Sequence, residues 1–203
     1  MLIWLALLAA DASAQTFTPA AARNASEWLS SDDYLLRAAG TDKTGVTQVD
    51  ILIDPTGKAQ TCTVMGSSGS SDLDVRTCAA AIQRGRFTPA MDAAGRPTYG
   101  IYRFRAVWEL AGNDTRMPPP DVTLEVPTLP GGKRTLSVSL GYAVDETGQI
   151  VGCRVLRSSG YPAYDAAACA AMPQRYRFAP AKDKSGKAWG VIRTQFVGFH
   201  AAG

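Results

Sequence analysis

Four cysteines, one histidine and two Ser-Ser-Gly stretches are the residues of this chain whose types could do chemistry. The cysteines are Cys62, Cys78, Cys153 and Cys169. Thiols serve metal ligation, redox or nucleophilic catalysis, or disulfide bonding. A zinc-type site wants closely spaced Cys or His pairs. Here no C-x-x-C occurs and His200 is the single histidine. Activated thiols usually lie close together in sequence at a helix N-terminus, and these do not. A Ser-His-Asp triad would have to use His200, near the end of the chain. Gly66-Ser67-Ser68-Gly69 lacks the spacing of a G-x-S-x-G nucleophile elbow, and neither S-x-x-K nor a phosphate loop occurs. Paired carboxylates remain. However, Asp54 and Asp145 fall in turns and Asp74 and Asp165 near helix starts, where structural roles account for them. The chain is not expected to be an enzyme, and no catalytic residue, metal or cofactor is expected.

The compartment decides what the cysteines do. Residues 1–10, MLIWLALLAA, form an uncharged apolar run, and Ala12-Ser13-Ala14 follows as a small-x-small site. This reads as an export signal over residues 1–14, with Gln15 as the first mature residue; an uncleaved anchor and a buried N-terminal helix are the alternatives. The run is shorter than the roughly 20 residues that span a bilayer. No stable membrane span is therefore expected. An even cysteine count in an exported chain points to disulfides.

An internal repeat chooses their pairing. Residues 54–90 and 145–181 are identical at 18 of 37 positions without gaps, at an offset of 91. The shared positions include Asp54/Asp145, Gly57/Gly148, Cys62/Cys153, Ser67-Ser68-Gly69/Ser158-Ser159-Gly160, Cys78/Cys169, Phe87/Phe178 and Pro89-Ala90/Pro180-Ala181. Such self-similarity marks a duplication. It predicts copies over residues 40–110 and 131–203, a partly helical lead-in over 15–39, and a linker over 111–130. The linker, with Met117-Pro118-Pro119-Pro120 and Leu129-Pro130-Gly131-Gly132, is expected to be semi-rigid.

Each copy has the same layout. Val49, Ile51 and Ile53 alternate with Gln48, Asp50 and Leu52; Leu136, Val138, Leu140, Tyr142 and Val144 alternate more cleanly. Asp54-Pro55-Thr56-Gly57 and Asp145-Glu146-Thr147-Gly148 are turn sequences. Second strands follow near Ala59–Met65 and Ile150–Leu156, completing hairpins. After Ser-Ser-Gly, Ser70 or Ser71 can cap a helix, with Asp72 and Asp74 in its first turn. Val75, Cys78, Ala79 and Ile82 define its expected inward stripe. Cys78 then meets Cys62, and Cys169 meets Cys153. Pro173 predicts that the second helix stops or kinks near Met172. Last strands are expected over Tyr99–Glu109, with Tyr102, Phe104, Ala106 and Trp108 alternating against Arg103 and Arg105, and over Trp189–Phe199. In the lead-in, Ala25–Leu29 and Tyr34–Ala39 are expected to be helical. The second copy carries a net charge of +6, which reads as a solvated face or as attraction to an acidic partner. Nucleic acid is not an expected partner of an exported chain.

The order strand, D-x-x-G turn, strand, S-S-G, helix, F-x-P-A, last strand resembles the TonB C-terminal domain family. Trp28-Leu29-Ser30-Ser31-Asp32-Asp33-Tyr34 resembles the lead-in of exported members with a cysteine pair at this spacing. The resemblance implies an α+β fold: two tandem domains, each a small antiparallel β-β-α-β sheet packed on one or more helices. It implies a periplasmic module of the Gram-negative envelope that binds protein, including segments of TonB-dependent outer-membrane receptors, by β-strand addition. The docking edges it implies are the last strands, through Tyr99, Ile101, Arg103, Arg105 and Val107, and through Val191, Arg193, Gln195 and Val197. Two features depart from the family: Leu35, not proline, follows Tyr34, and the apolar run is too short for the anchor of an energy transducer. An envelope scaffold with the same fold is the alternative. The copies either bind separately or pack as one pseudo-dimer.

Overall fold

The computed structural model describes residues 16–30, 44–108 and 120–201. The expected export signal and Tyr34–Ala39 lie outside the described residues. The first copy contains β1 (Gly45–Ile53), β2 (Ala59–Gly66), α1 (Ser71–Arg84) and β3 (Gly100–Trp108). The second contains β5 (Thr135–Val144), β6 (Ile150–Arg157), α2 (Pro162–Arg175) and β7 (Val191–Ala201). Between them runs a short strand, β4 (Val122–Val126). The segment expected to act as a spacer thus contributes a strand to the sheet.

Local chemistry explains the elements. In the β1–β2 turn, an oxygen of Asp54 accepts bonds from the Thr56 amide and hydroxyl and the Lys58 amide. Asp145 does the same in the β5–β6 turn. Gly57 has φ +83°, and an added Cβ would meet the Phe87 carbonyl at 2.5 Å, so glycine is required twice over at this position. Before α1, Asp74 gathers the Ser-Ser-Gly turn: Ser67 donates at 2.5 Å, the Ser68 amide at 2.9 Å and Thr47 at 2.8 Å. Ser158 and Ser159 repeat this around Asp165. Burial raises the pKa of both carboxyls, but these donors outweigh it and hold them below the ordinary aspartate range.

Two expectations about the helices are corrected. The buried stripe of α1 is Leu73, Asp74, Thr77, Ala80 and Ala81, while Val75 is 68% exposed and Ile82 sits at the surface. The polar residues Asp74 and Thr77 face inward because Ser67, Ser68 and Thr47 satisfy the first, and the Leu73 carbonyl and the Trp108 indole the second. An apolar-only count therefore turns the helix by about one position. The second helix does not stop at Met172; it continues through Pro173 to Arg175. Proline falls in the last turn, where the missing amide costs little continuing structure. The disulfides form as expected, Cys62–Cys78 and Cys153–Cys169, with Cα separations of 5.6 and 5.7 Å.

Among the described residues, seven strands make one sheet: six run in the order β6-β5-β7-β3-β1-β2, and β4 pairs with β7 off this path. The copies meet through their last strands, which run parallel and pair only at Ile192 with Gly100 and Arg193 with Ile101. Parallel pairing of equivalent strands turns one copy over relative to the other. Val49, Ile51 and Ile53 pack with Ala80 and Ala81 of α1, whereas Leu52 and Ile101 join Ala168 and Met172 of α2. The helices therefore lie on opposite faces, and the two copies form one pseudo-dimeric unit. The lead-in crosses the bare face of the second copy: Phe17 and Ala20 pack with Ala143 and Ile192. Its described part contains a 3-10 turn at Ala25–Glu27, shorter than the expected helix at Ala25–Leu29, and buries Trp28 completely. The Trp28 ring lies 4.8 Å from Phe104, 5.2 Å from Phe87 and 5.9 Å from Tyr102.

Candidate functional site at the open flank of the first copy

The expected docking residues fall in two different settings. On β3, the Tyr99 carbonyl accepts from the Ile192 amide. Backbone groups alternate between the two flanks of a strand. Ile101, Arg103, Arg105 and Val107 therefore turn their amides and carbonyls toward the same flank as Tyr99. The opposite flank is paired with β1 from Gly100 to Trp108. Beyond Ile101, no strand among the described residues pairs with the first flank.

On β7 the expectation of a free edge is corrected. Val191, Arg193, Gln195 and Val197 face β5 with their backbone groups, and β7 pairs with β5 from Val191 to His200. Their side chains are buried. The other flank of β7, served by Ile192, Thr194, Phe196 and Gly198, is also occupied. It carries β3 at its start and β4 at its end, with Val197–Ala201 paired in parallel to Val122–Val126. Thus a strand has already been added to the second copy, and it comes from the chain itself.

Asp121 sits where β3 leaves β7 and β4 takes its place. Its amide donates to the Phe196 carbonyl at 2.9 Å, and its carboxylate accepts from the Phe196 amide at 2.8 Å. The same carboxylate takes Arg103 at 2.7 Å, Arg105 at 3.3 Å and Gln48 at 3.2 Å. Arg103 also clamps Asp50 at 2.6 and 2.8 Å, and Arg193 reaches Asp50 at 2.7 Å. Burial works against the Arg103 cation, yet Asp50 and Asp121 raise its pKa above the ordinary arginine value. For Arg193, burial prevails over Asp50 and lowers it. Arg193 sits over the Phe178 ring, its Cζ 3.8 Å from the ring centre. Arg103 and Arg105, which the resemblance implies as docking residues, tie the first copy to the connecting segment through Asp121.

The divergence leaves a cleft of about 290 Å³ between β3 and β7, lined by Arg103, Phe104, Arg105, Asp121, Thr194 and Phe196 among others. An extended chain entering it would meet the open backbone groups of β3 on one side. Sequence reasoning missed Asp121 because it lies in a Pro-rich stretch that read as spacer. The alternation of Val122, Leu124 and Val126 was the available signal for β4. Among the described residues no cluster of His, Cys, Asp and Glu could hold a metal ion, and no helix is long and apolar enough to cross a membrane.

A family model described as Gram-negative bacterial TonB protein C-terminal matches residues 32–110 and 134–197, more than half of the chain. No curated protein and no solved structure matches it. Domains of this family are protein-interaction modules of the Gram-negative envelope. One matched segment falls on each half of the chain, each half with its own disulfide, and the chain belongs to the TonB C-terminal family.

Proposed function

We propose that this chain is a periplasmic TonB-like binding module in outer-membrane transport, and that it takes a partner segment by strand addition on β3 of the first copy. The observation that supports this is the asymmetry of equivalent flanks: β7 is filled by β4, whereas β3 has no strand beyond Ile101 among the described residues. Main-chain bonds from Arg103, Arg105 and Val107 would hold the segment, and side chains in the cleft would select it.

The test is calorimetric titration of the oxidised protein with peptides carrying the segment through which TonB-dependent receptors engage their partner. Val107 is 41% exposed, and its amide points to the open flank. Proline is tolerated at such an edge position but cannot donate. Val107→Pro is expected to leave the fold intact and weaken binding about tenfold. Full binding by this variant would overturn the assignment. No binding of any peptide by the folded wild-type chain would favour a scaffold role with the same fold.

A further inference from the structure

The pseudo-symmetry that turns one copy over also predicts twin grooves, and only one of them is filled by described residues. In the filled groove, the lead-in runs antiparallel along residues 86–91. Thr18 and Met91 exchange both backbone bonds, at 2.9 and 2.8 Å, and the Arg23 amide donates to Arg86 at 2.8 Å. Ala21 and Ala22 pair with Thr88 and Phe87. The groove floor comes from the second copy. Phe17 lies against Gly141, where an added Cβ would meet its ring at 3.0 Å. Arg154 donates to the Phe17 carbonyl, and Ala143 and Ile192 complete the contact.

Subtracting the 91-residue offset carries Gly141, Ala143, Arg154 and Ile192 to Asp50, Leu52, Thr63 and Ile101. All four line a groove of about 480 Å³, whose other wall is Tyr176, Phe178 and Ala179–Lys182. That wall is the equivalent of residues 85–91. Its volume is in the range of ligand sites, about 300–1,000 Å³. Phe87–Thr88 form a ladder with the lead-in, while Phe178–Ala179 carry no strand pairing.

We infer that this second groove is a peptide-docking site that takes an extended acidic segment of a partner protein, bound antiparallel along Arg177–Lys182. The chemistry of the occupant follows from position. The place of Thr18 faces Lys182, and the place of Arg23 faces Arg177, so a carboxylate at each is complementary. Asp50 stands where Gly141 makes room for Phe17. The apolar residue there must therefore be smaller than phenylalanine, and leucine meets Met65 and Leu52. This surface is separate from the open flank of β3 and does not depend on it.

The probe is an eight-residue peptide with the sequence of residues 16–23 carrying Phe17→Leu, Thr18→Glu and Arg23→Glu, titrated into isotope-labelled, oxidised full chain. Saturable amide shifts are expected at Thr61, Thr63, Ala179 and Lys182, with Kd near or below about 1 mM. Lys182→Glu should weaken binding about fivefold. Thr63→Arg restores the donor that Arg154 supplies in the filled groove and should tighten it. Both positions are exposed, so neither change threatens the fold. Absence of saturable shifts in the groove at millimolar peptide overturns the inference, as do shifts confined to Arg103–Val107. Failure of receptor peptides on β3 leaves this result standing, and the reverse also holds.

Discussion

Replacing Asp121 by asparagine tests whether one carboxylate fastens the connecting segment to the sheet. The Asp121 side chain is 3% exposed and receives two guanidinium groups, a Gln48 amide and the Phe196 backbone amide. Asp121→Asn keeps the shape and one acceptor but removes the charge. Arg103 and Arg193 would then share Asp50 as their carboxylate, and Arg105 would keep its bond to Gln48 without an anionic partner in this cluster. Breaking a buried ion pair by removing one partner costs about 3–5 kcal/mol. Arg103 retains its two bonds to Asp50, which argues for the lower end, about 3 kcal/mol. With a urea slope of about 2 kcal/mol/M, the midpoint should fall by about 1.5 M. The loss should also be local. Openings that release the segment break the same contacts, so a destabilisation of about 3 kcal/mol accelerates its exchange by about two orders of magnitude. Hydrogen exchange should therefore rise across Val122–Val126 and at Gly198 and His200, while Val49–Ile53 stays protected. A midpoint shift below about 0.5 M together with unchanged exchange in β4 would refute the reasoning.

Other outcomes follow from the same contacts. Trp28→Ala removes a fully buried ring set among three others and should cost about 3–5 kcal/mol in urea unfolding; a loss below about 1 kcal/mol would show that the lead-in is dispensable. Replacing Cys62 and Cys78 by serine opens a 16-residue separation and should lower stability by about 3 kcal/mol, read as the difference between oxidised wild type and variant; the same change at Cys153 and Cys169 should cost as much. Asp74 and Asp165 have folded pKa values below the unfolded one, so their contribution is complete above about pH 3.9 and disappears as pH falls through the lower folded values. Unfolding free energies measured between pH 5 and 2 should therefore drop steeply below about 4, and less steeply in Asp74→Asn; an unaltered acid limb in that variant would contradict the assignment.

The repeat made most of the fold legible in the sequence. It fixed the copies, the hairpins, the helix positions and both disulfide pairings, because each rests on local chemistry that recurs 91 residues later. The helix stripe was misread because buried polar residues carry no apolar signal: Asp74 and Thr77 face inward only because Ser67, Ser68, Thr47 and Trp108 meet them across the fold. The site was half legible. The resemblance pointed to β3, whose flank beyond Ile101 pairs with no strand among the described residues, and whether it docks a partner is what the titration tests. It pointed equally to β7, yet β7 is enclosed by β5, β3 and β4. No pattern within one copy could reveal this, since the occlusion arises between copies. Asp121 was invisible for the same reason: its partners Arg103, Arg105, Gln48 and Phe196 come from both copies.

The filling of β7 by β4 also sets how many segments the proposed strand addition can take. Duplicated binding modules commonly gain avidity, because a second engagement on a tethered ligand is intramolecular and strengthens the whole. Here the connecting segment competes permanently for one of the two equivalent flanks, at the high local concentration its tether imposes. On the proposed reading, strand addition on β3 saturates at one ligand per chain with a simple hyperbolic response. A ligand carrying two copies of the β3-binding segment would then bind this protein no tighter than a ligand carrying one.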